Sequence, residues 1–157
     1  MKKTLIILAI ASICIVCGSC KKDVDYFHYS RNLIDNKSSY SFEVVAEASE
    51  QSILDLKNVP NSHIVESNAL SEWIAESSNT EGANPVVSSR AITYSFCFEN
   101  GVRHTFQGDI IENDFRSEGS WTRSTEGAKN ENEGSVYNTY TYTFTNEDYQ
   151  RIMSLYE

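Results

Sequence analysis

The stretch Thr93-Tyr94-Ser95-Phe96-Cys97-Phe98-Glu99-Asn100-Gly101-Val102-Arg103-His104-Thr105-Phe106-Gln107 constrains the fold more than any other. Two short alternating runs flank a turn, and turn and side-chain pattern must agree on one register. A two-residue Asn100-Gly101 turn would set Phe98 opposite Arg103 and Cys97 opposite His104, mixing apolar and polar residues on both faces. A three-residue loop, with Gly101 left-handed in a bulge, pairs Phe98 with Val102, Phe96 with His104 and Tyr94 with Phe106. One face then becomes aromatic and the other carries Thr93, Ser95, Cys97, Arg103, Thr105 and Gln107. The second register is the one expected.

The same period of two recurs in Val136–Thr145, where Tyr140, Tyr142 and Phe144 alternate with threonines. Thr145 then caps a helix from Asn146, with Asp148 in the capping-box position and Tyr149, Ile152, Met153 and Tyr156 on one face. Asp25–Arg31 and Tyr40–Ala46 read as strands, with Asp35–Ser39 as the turn of a hairpin between them. Ser52–Leu56 is a third run, followed by a connection at Pro60.

Two segments depart from alternation. Leu70, Trp73, Ile74 and Ser77 fall at helical spacing after Ser67 or Asn68 as N-cap, so 67–77 is expected to be an inserted helix. Ser78–Ser89 reads as loop. Glu112–Ser135, rich in Gly, Ser, Asn and Glu, is expected to be a long mobile excursion. The expected fold is mainly β: an antiparallel β-sandwich with a short C-terminal helix and one inserted helix.

The chain has a second organising point at Cys20. Lys2 and Lys3, an apolar run from Leu5 to Val16 and the small pair Gly18-Ser19 make the three parts of a secretory signal peptide. The apolar run is too short for a membrane span, which takes about 20 residues. The expected organisation is a signal peptide at 1–19, a lipidated tether at 20–24 and one domain at 25–157, a size that can bury a core. Of the 13 Lys and Arg, two precede Cys20, leaving eleven against 22 Asp and Glu, a net of −11. That balance repels phosphate backbones and argues against a nucleic-acid partner. Cys14 and Cys17 leave with the signal and Cys20 takes lipid, so Cys97 stands alone and no internal disulfide forms.

With these residues in view, Ser19-Cys20 followed by Lys21-Lys22-Asp23 resembles the lipobox and short charged stretch of small surface lipoproteins of Bacteroidales-type bacteria. Cys17 stands where an aliphatic residue is more usual. The Asn-Lys-Ser-Ser turn and the terminal Tyr-Thr-Tyr-Thr-Phe-Thr strand are similar to β-sandwich members of that group. The resemblance implies lipid on Cys20 and an outer-membrane anchor, facing the cell surface or alternatively the periplasm. It implies no chemistry, since the group has no established activity.

No pattern in the chain specifies catalysis, a metal or a cofactor. His28, His63 and His104 are far apart, and His104 is expected to pack in the core. Lys129–Gly134 fails as a calcium loop because Lys129 takes the first ligand position. Ser120 lacks a nucleophile elbow, and Arg103 opposite Cys97 could lower the thiol pKa, although a passive thiol is expected. Glu112 and Asp114 form a carboxylate pair of unspecified separation, read as an acidic loop tip. Trp121, in a polar stretch without periodic apolar company, is the candidate binding residue, against the alternative that it tucks onto its own domain. The expected function is a lipid-anchored extracytoplasmic binding or surface-interaction protein with a glycan or protein ligand. The alternative is a glycan- or peptide-processing hydrolase accessory to an outer-membrane system.

Overall fold

The computed structural model describes residues 26–48, 61–78, 84, 86, 92–107, 111–129 and 134–157. The signal segment, Cys20 with its tether, the Ser52–Leu56 run and most of the 78–89 loop lie outside them. The described strands are β1 (Tyr26–Asn36), β2 (Phe42–Ala48), β3 (Ser62–Val65), β4 (Ala69–Ser78), β5 (Ile92–Phe98), β6 (Arg103–Phe106), β7 (Trp121–Lys129) and β8 (Gly134–Phe144), followed by helix α1 (Asn146–Met153). They build two four-stranded sheets, in the orders β4-β1-β8-β7 and β3-β2-β5-β6, packed face to face. The fold is a mainly β sandwich with a short C-terminal helix.

The β5–β6 hairpin adopts the three-residue register. Tyr94 pairs with Phe106, Phe96 with His104 and Cys97 with Arg103. Phe98 N–H donates to Val102 O at 2.9 Å, and Gly101 sits at φ 85°, a conformation in which a side chain would be strained. Phe96, wholly buried, packs edge-on against Phe106 at 4.6 Å within its own sheet and against Phe144 at 5.6 Å across the sandwich. Burying each such ring contributes about 1.5–3 kcal/mol, with about 0.5–1.5 kcal/mol more for each aromatic pair.

Three expectations about the strands are corrected. First, β1 and β2 form no hairpin: they belong to opposite sheets. Lys37 N–H donates to Phe144 O at 2.8 Å, which keeps the chain beside β8, and buried Asn36 then turns it. Its Oδ1 accepts from Ser38 N–H at 3.0 Å and Ser38 Oγ at 2.7 Å, while its Nδ2 donates to the carbonyls of Tyr40 and Glu66 at 2.9 Å each. The Asx turn is therefore a corner between layers. Second, the β4-β1-β8-β7 sheet is mixed, because β1 and β8 run parallel, Tyr26 beside Gly134 through Asn36 beside Phe144. Parallel neighbours need a long connection, and the whole second sheet lies between these two in sequence.

Third, 67–77 is not a helix. Ala69–Ser78 is β4, and its pairing to β1 passes from Asn32 with Ile74 to Leu33 with Glu72, leaving Trp73 as the extra residue of a bulge. The bulge turns Trp73 and Ile74 inward together, at 5% and 1% exposure, whereas Leu70 is 64% exposed. Two consecutive inward residues three and four positions after a leucine imitate helical spacing. Asn68, proposed as an N-cap, instead takes φ 54° in the turn between β3 and β4.

The excursion 112–135 is also corrected. Asp114 and Phe115 are buried at 1% and 0% exposure. Asp114 Oδ1 accepts from Arg116 N–H at 2.7 Å, a short 3-10 turn spans Glu118–Ser120, and β7 then runs along β8 as an edge strand. Its composition reads as loop because past Trp121 the described side chains of β7 are exposed. The C-terminal helix forms as expected: Thr145 Oγ1 accepts from Asp148 N–H, and the Asp148 carboxylate accepts in return from Thr145 N–H at 2.8 Å. Ile152 is buried on the core, with Tyr149 and Met153 half-buried against it.

Candidate functional site

Inward placement of Asn32, Ile34 and Asn36 sends Tyr29, Arg31, Leu33 and Asp35 to the outer face of β1. Tyr137, Thr139, Thr141 and Thr143 stand directly opposite them on β8. The Tyr29 and Tyr137 rings stack with centroids 5.2 Å apart and planes 16° from parallel, and both remain exposed, at 38% and 53%. Arg31 Nε donates to Thr139 Oγ1 at 3.0 Å, and its Nη1 lies 3.9 Å from Glu72. On β7, Glu126, Ser124 and Thr122 continue the rows of Tyr137, Thr139 and Thr141. The result is a hydroxyl-rich face with a tyrosine pair on it. Flat rings with polar neighbours hold sugar faces or protein side chains.

A second feature is a cleft of about 440 Å³ bordered by His104, Ile111, Asp114, Leu155 and Tyr156. His104 is 7% exposed, packed as expected, with its ring edge-on to Phe106 at 4.7 Å. Burial pushes its pKa down, and the nearby Asp114 charge opposes this more weakly. Tyr156 donates its hydroxyl proton to Arg103 O at 3.0 Å, so His104 Nδ1, 3.2 Å from the same hydroxyl, carries the proton of that contact. The neighbouring Thr105 hydroxyl is held by Ser95 Oγ at 2.9 Å on the other face of the sheet. The cleft thus has a neutral histidine with no activated nucleophile among the described residues.

Other candidates resolve as follows. Trp121 is 7% exposed, its Nε1–H donates to Phe115 O at 2.8 Å, and its ring packs on Phe115 and Tyr142. The reading of an exposed loop anchor gives way to a core residue. The signal that could have shown this was Phe115 six residues earlier, the one large apolar partner in the same segment. Glu112 and Asp114 differ in setting: Glu112 is exposed and 3.8 Å from Arg151, and Asp114 is buried in its turn. Burial raises the Cys97 pKa, and Arg103, opposite it, is engaged by Glu47 at 2.7 Å. Cys97 is a free thiol. Ser120 closes the 3-10 turn with its N–H on Ser117 O. No group of three or more His, Cys, Asp and Glu suited to a metal ion occurs among the described residues. The exposed pair that sequence reading missed, Tyr29 and Tyr137, carries no local signal because the two residues meet only through β1–β8 pairing.

These features define a mainly β sandwich protein with a tyrosine-bearing outer face. No family model, curated protein or solved structure matches the chain.

Proposed function

We propose that the chain is a lipid-anchored extracytoplasmic binding protein that holds a glycan or protein ligand on the face around Tyr29 and Tyr137. The exposed stacked pair carries this reading. It presents two pre-ordered rings beside Arg31 and a threonine row on a stiff sheet, so little side-chain entropy remains to be lost on binding. The signal-like segment and Ser19-Cys20-Lys21-Lys22-Asp23 support an anchor at Cys20 on the outer membrane, on its cell-surface side. β1 begins at Tyr26, so an extended tether of about 3.3–3.6 Å per residue would keep the sandwich within roughly 20 Å of the lipid. The hydrolase alternative gains no support from the His104 cleft.

The test is a screen of glycans and cell-surface proteins against the full chain, repeated with Tyr29→Ala combined with Tyr137→Ala. Both residues are exposed, so the double variant should fold. Loss of about tenfold or more in affinity is expected for two aromatic anchors. Equal binding by the double variant, or a screen in which the wild type retains nothing, would count against the reading.

A further inference from the structure

One row of the space between the sheets is polar. Asn32 of β1 has Ile74 of β4 and Tyr140 of β8 as its Cα partners, and the bulge turns Trp73, next to Ile74, to the same side. Asn84 reaches this row, its Oδ1 accepting from Asn32 Nδ2 at 2.7 Å and from Val86 N–H at 3.1 Å. Asn32, Trp73, Asn84 and Tyr140 are 0%, 5%, 2% and 3% exposed. Four polar atoms on them have no hydrogen-bond partner among the described residues: Asn32 Oδ1, Trp73 Nε1, Asn84 Nδ2 and Tyr140 Oη. His28 Nδ1, further along the inner face of β1, is in the same state.

Each such atom costs about 1–3 kcal/mol when buried unpaired, and folded proteins keep few of them. The sandwich satisfies its amides elsewhere. Asn36 makes four hydrogen bonds, as described above, and Asn138 Oδ1 accepts from Arg123 Nε at 3.1 Å, Arg123 Nη2 at 2.8 Å and Thr125 Oγ1 at 3.0 Å. The unpaired atoms concentrate in the one row that joins β4, β1 and β8. Its far end is near solvent: Arg123, exposed on edge strand β7, lies 6.0 Å over the Tyr140 ring.

We infer that this row is a binding site for a small neutral polyhydroxyl molecule, a sugar ring or polyol, held between the sheets. The donor and acceptor count selects that chemistry. Trp73 Nε1, Asn84 Nδ2 and Tyr140 Oη offer protons, and Asn32 Oδ1 requires one. A hydroxyl supplies one proton and two lone pairs, matching an excess of donors over acceptors. An anion would accept from the three donors but leave Asn32 Oδ1 unmet, and Arg123, the cation over Tyr140, is already engaged through Nε and Nη2 by Asn138 Oδ1. The site is separate from the outer face: Asn32 and Tyr140 point to the opposite side of the sheet from Tyr29 and Tyr137.

The test uses the full chain in a detergent without a sugar headgroup. Glucose, galactose, N-acetylglucosamine, glycerol and inositol are titrated in turn, read by calorimetry and by tryptophan fluorescence. At least one should bind saturably. Tyr140→Phe, which keeps the ring and removes only the hydroxyl, should weaken that binding about tenfold or more and leave binding dependent on Tyr29 and Tyr137 unchanged. Should Tyr140→Phe fail to fold, Asn84→Ser takes its place with the same expected loss. Absence of saturable binding by every probe would mean that the row holds structural water only and would overturn the inference. Unchanged affinity in the folded variant would overturn it equally.

Discussion

Tyr156 and His104 meet at 3.2 Å through a hydroxyl whose own proton is already given to the Arg103 carbonyl, so the histidine holds its side of the contact as a donor from Nδ1. Burial lowers the pKa of His104, and that of His63 moves the same way, below the usual value of 6.5. The folded state therefore resists protonation that the unfolded chain accepts. Stability is fully present above pH 6.5 and is lost as pH falls from there through the folded pKa, by up to about 1.4 kcal/mol per pH unit for His104 within that window. Thermal melts should show a falling midpoint between pH 7.5 and 5.5, and His104→Gln should flatten the curve. An unchanged slope in that variant would show that His104 is not its source.

Asn36 ties two of the crossings between the sheets, the one at Ser38–Tyr40 and the one at Glu66. Asn36→Ala leaves several of these groups buried without partners and should cost about 2–4 kcal/mol. Urea unfolding measures it. A loss below about 1 kcal/mol would mean that water replaces the amide at no cost.

Trp121 packs on Phe115 and Tyr142 and donates to Phe115 O. Trp121→Ala should cost about 3–5 kcal/mol, and Trp121→Phe about 1–3 kcal/mol because the buried carbonyl loses its donor. Denaturant midpoints check both. A neutral Trp121→Ala would return the residue to the surface role first expected of it.

Thr145 and Asp148 close a reciprocal capping box at the start of α1. Thr145→Ala should remove about 1 kcal/mol, and Thr145→Ser should restore most of it. Because α1 covers the core through Ile152, the loss should appear in global unfolding, measured by circular dichroism at strand and helix wavelengths together.

Cys20→Ala should move the protein from the membrane fraction to the soluble one, and should abolish labelling by a fatty-acid probe. Persistence of the variant in membranes would rule out the lipid as the anchor. Cleavage of the wild type by protease added to intact cells would place the sandwich on the cell surface, and resistance there would place it on the periplasmic side.

Where turn chemistry and alternation sit within a few residues of each other, the sequence is legible. The Phe96–His104 register and the Thr145 cap follow from neighbouring residues alone. What was misread depends on distant partners. The Trp73 bulge exists only against β1, and without that strand its spacing is indistinguishable from a helical face. β7 looks like a loop because its pattern is completed by β8 on one side and solvent on the other. The tyrosine pair and the Asn32–Tyr140 row are invisible for the same reason, each being made by a parallel pairing that no local rule announces.

That parallel pairing also sets the order in which the molecule can assemble. β1 lies between β4 and β8, and its partner on one side, starting at Gly134, is synthesised 108 residues after Tyr26. While the chain emerges, the antiparallel pairs β2–β3 and β5–β6 can form between strands consecutive in sequence, but β1 has only β4 to lean on. Contacts of such long sequence separation slow folding toward the millisecond-to-second range. The earliest strand therefore stays half-matched until nearly the last of the chain arrives to finish the sheet.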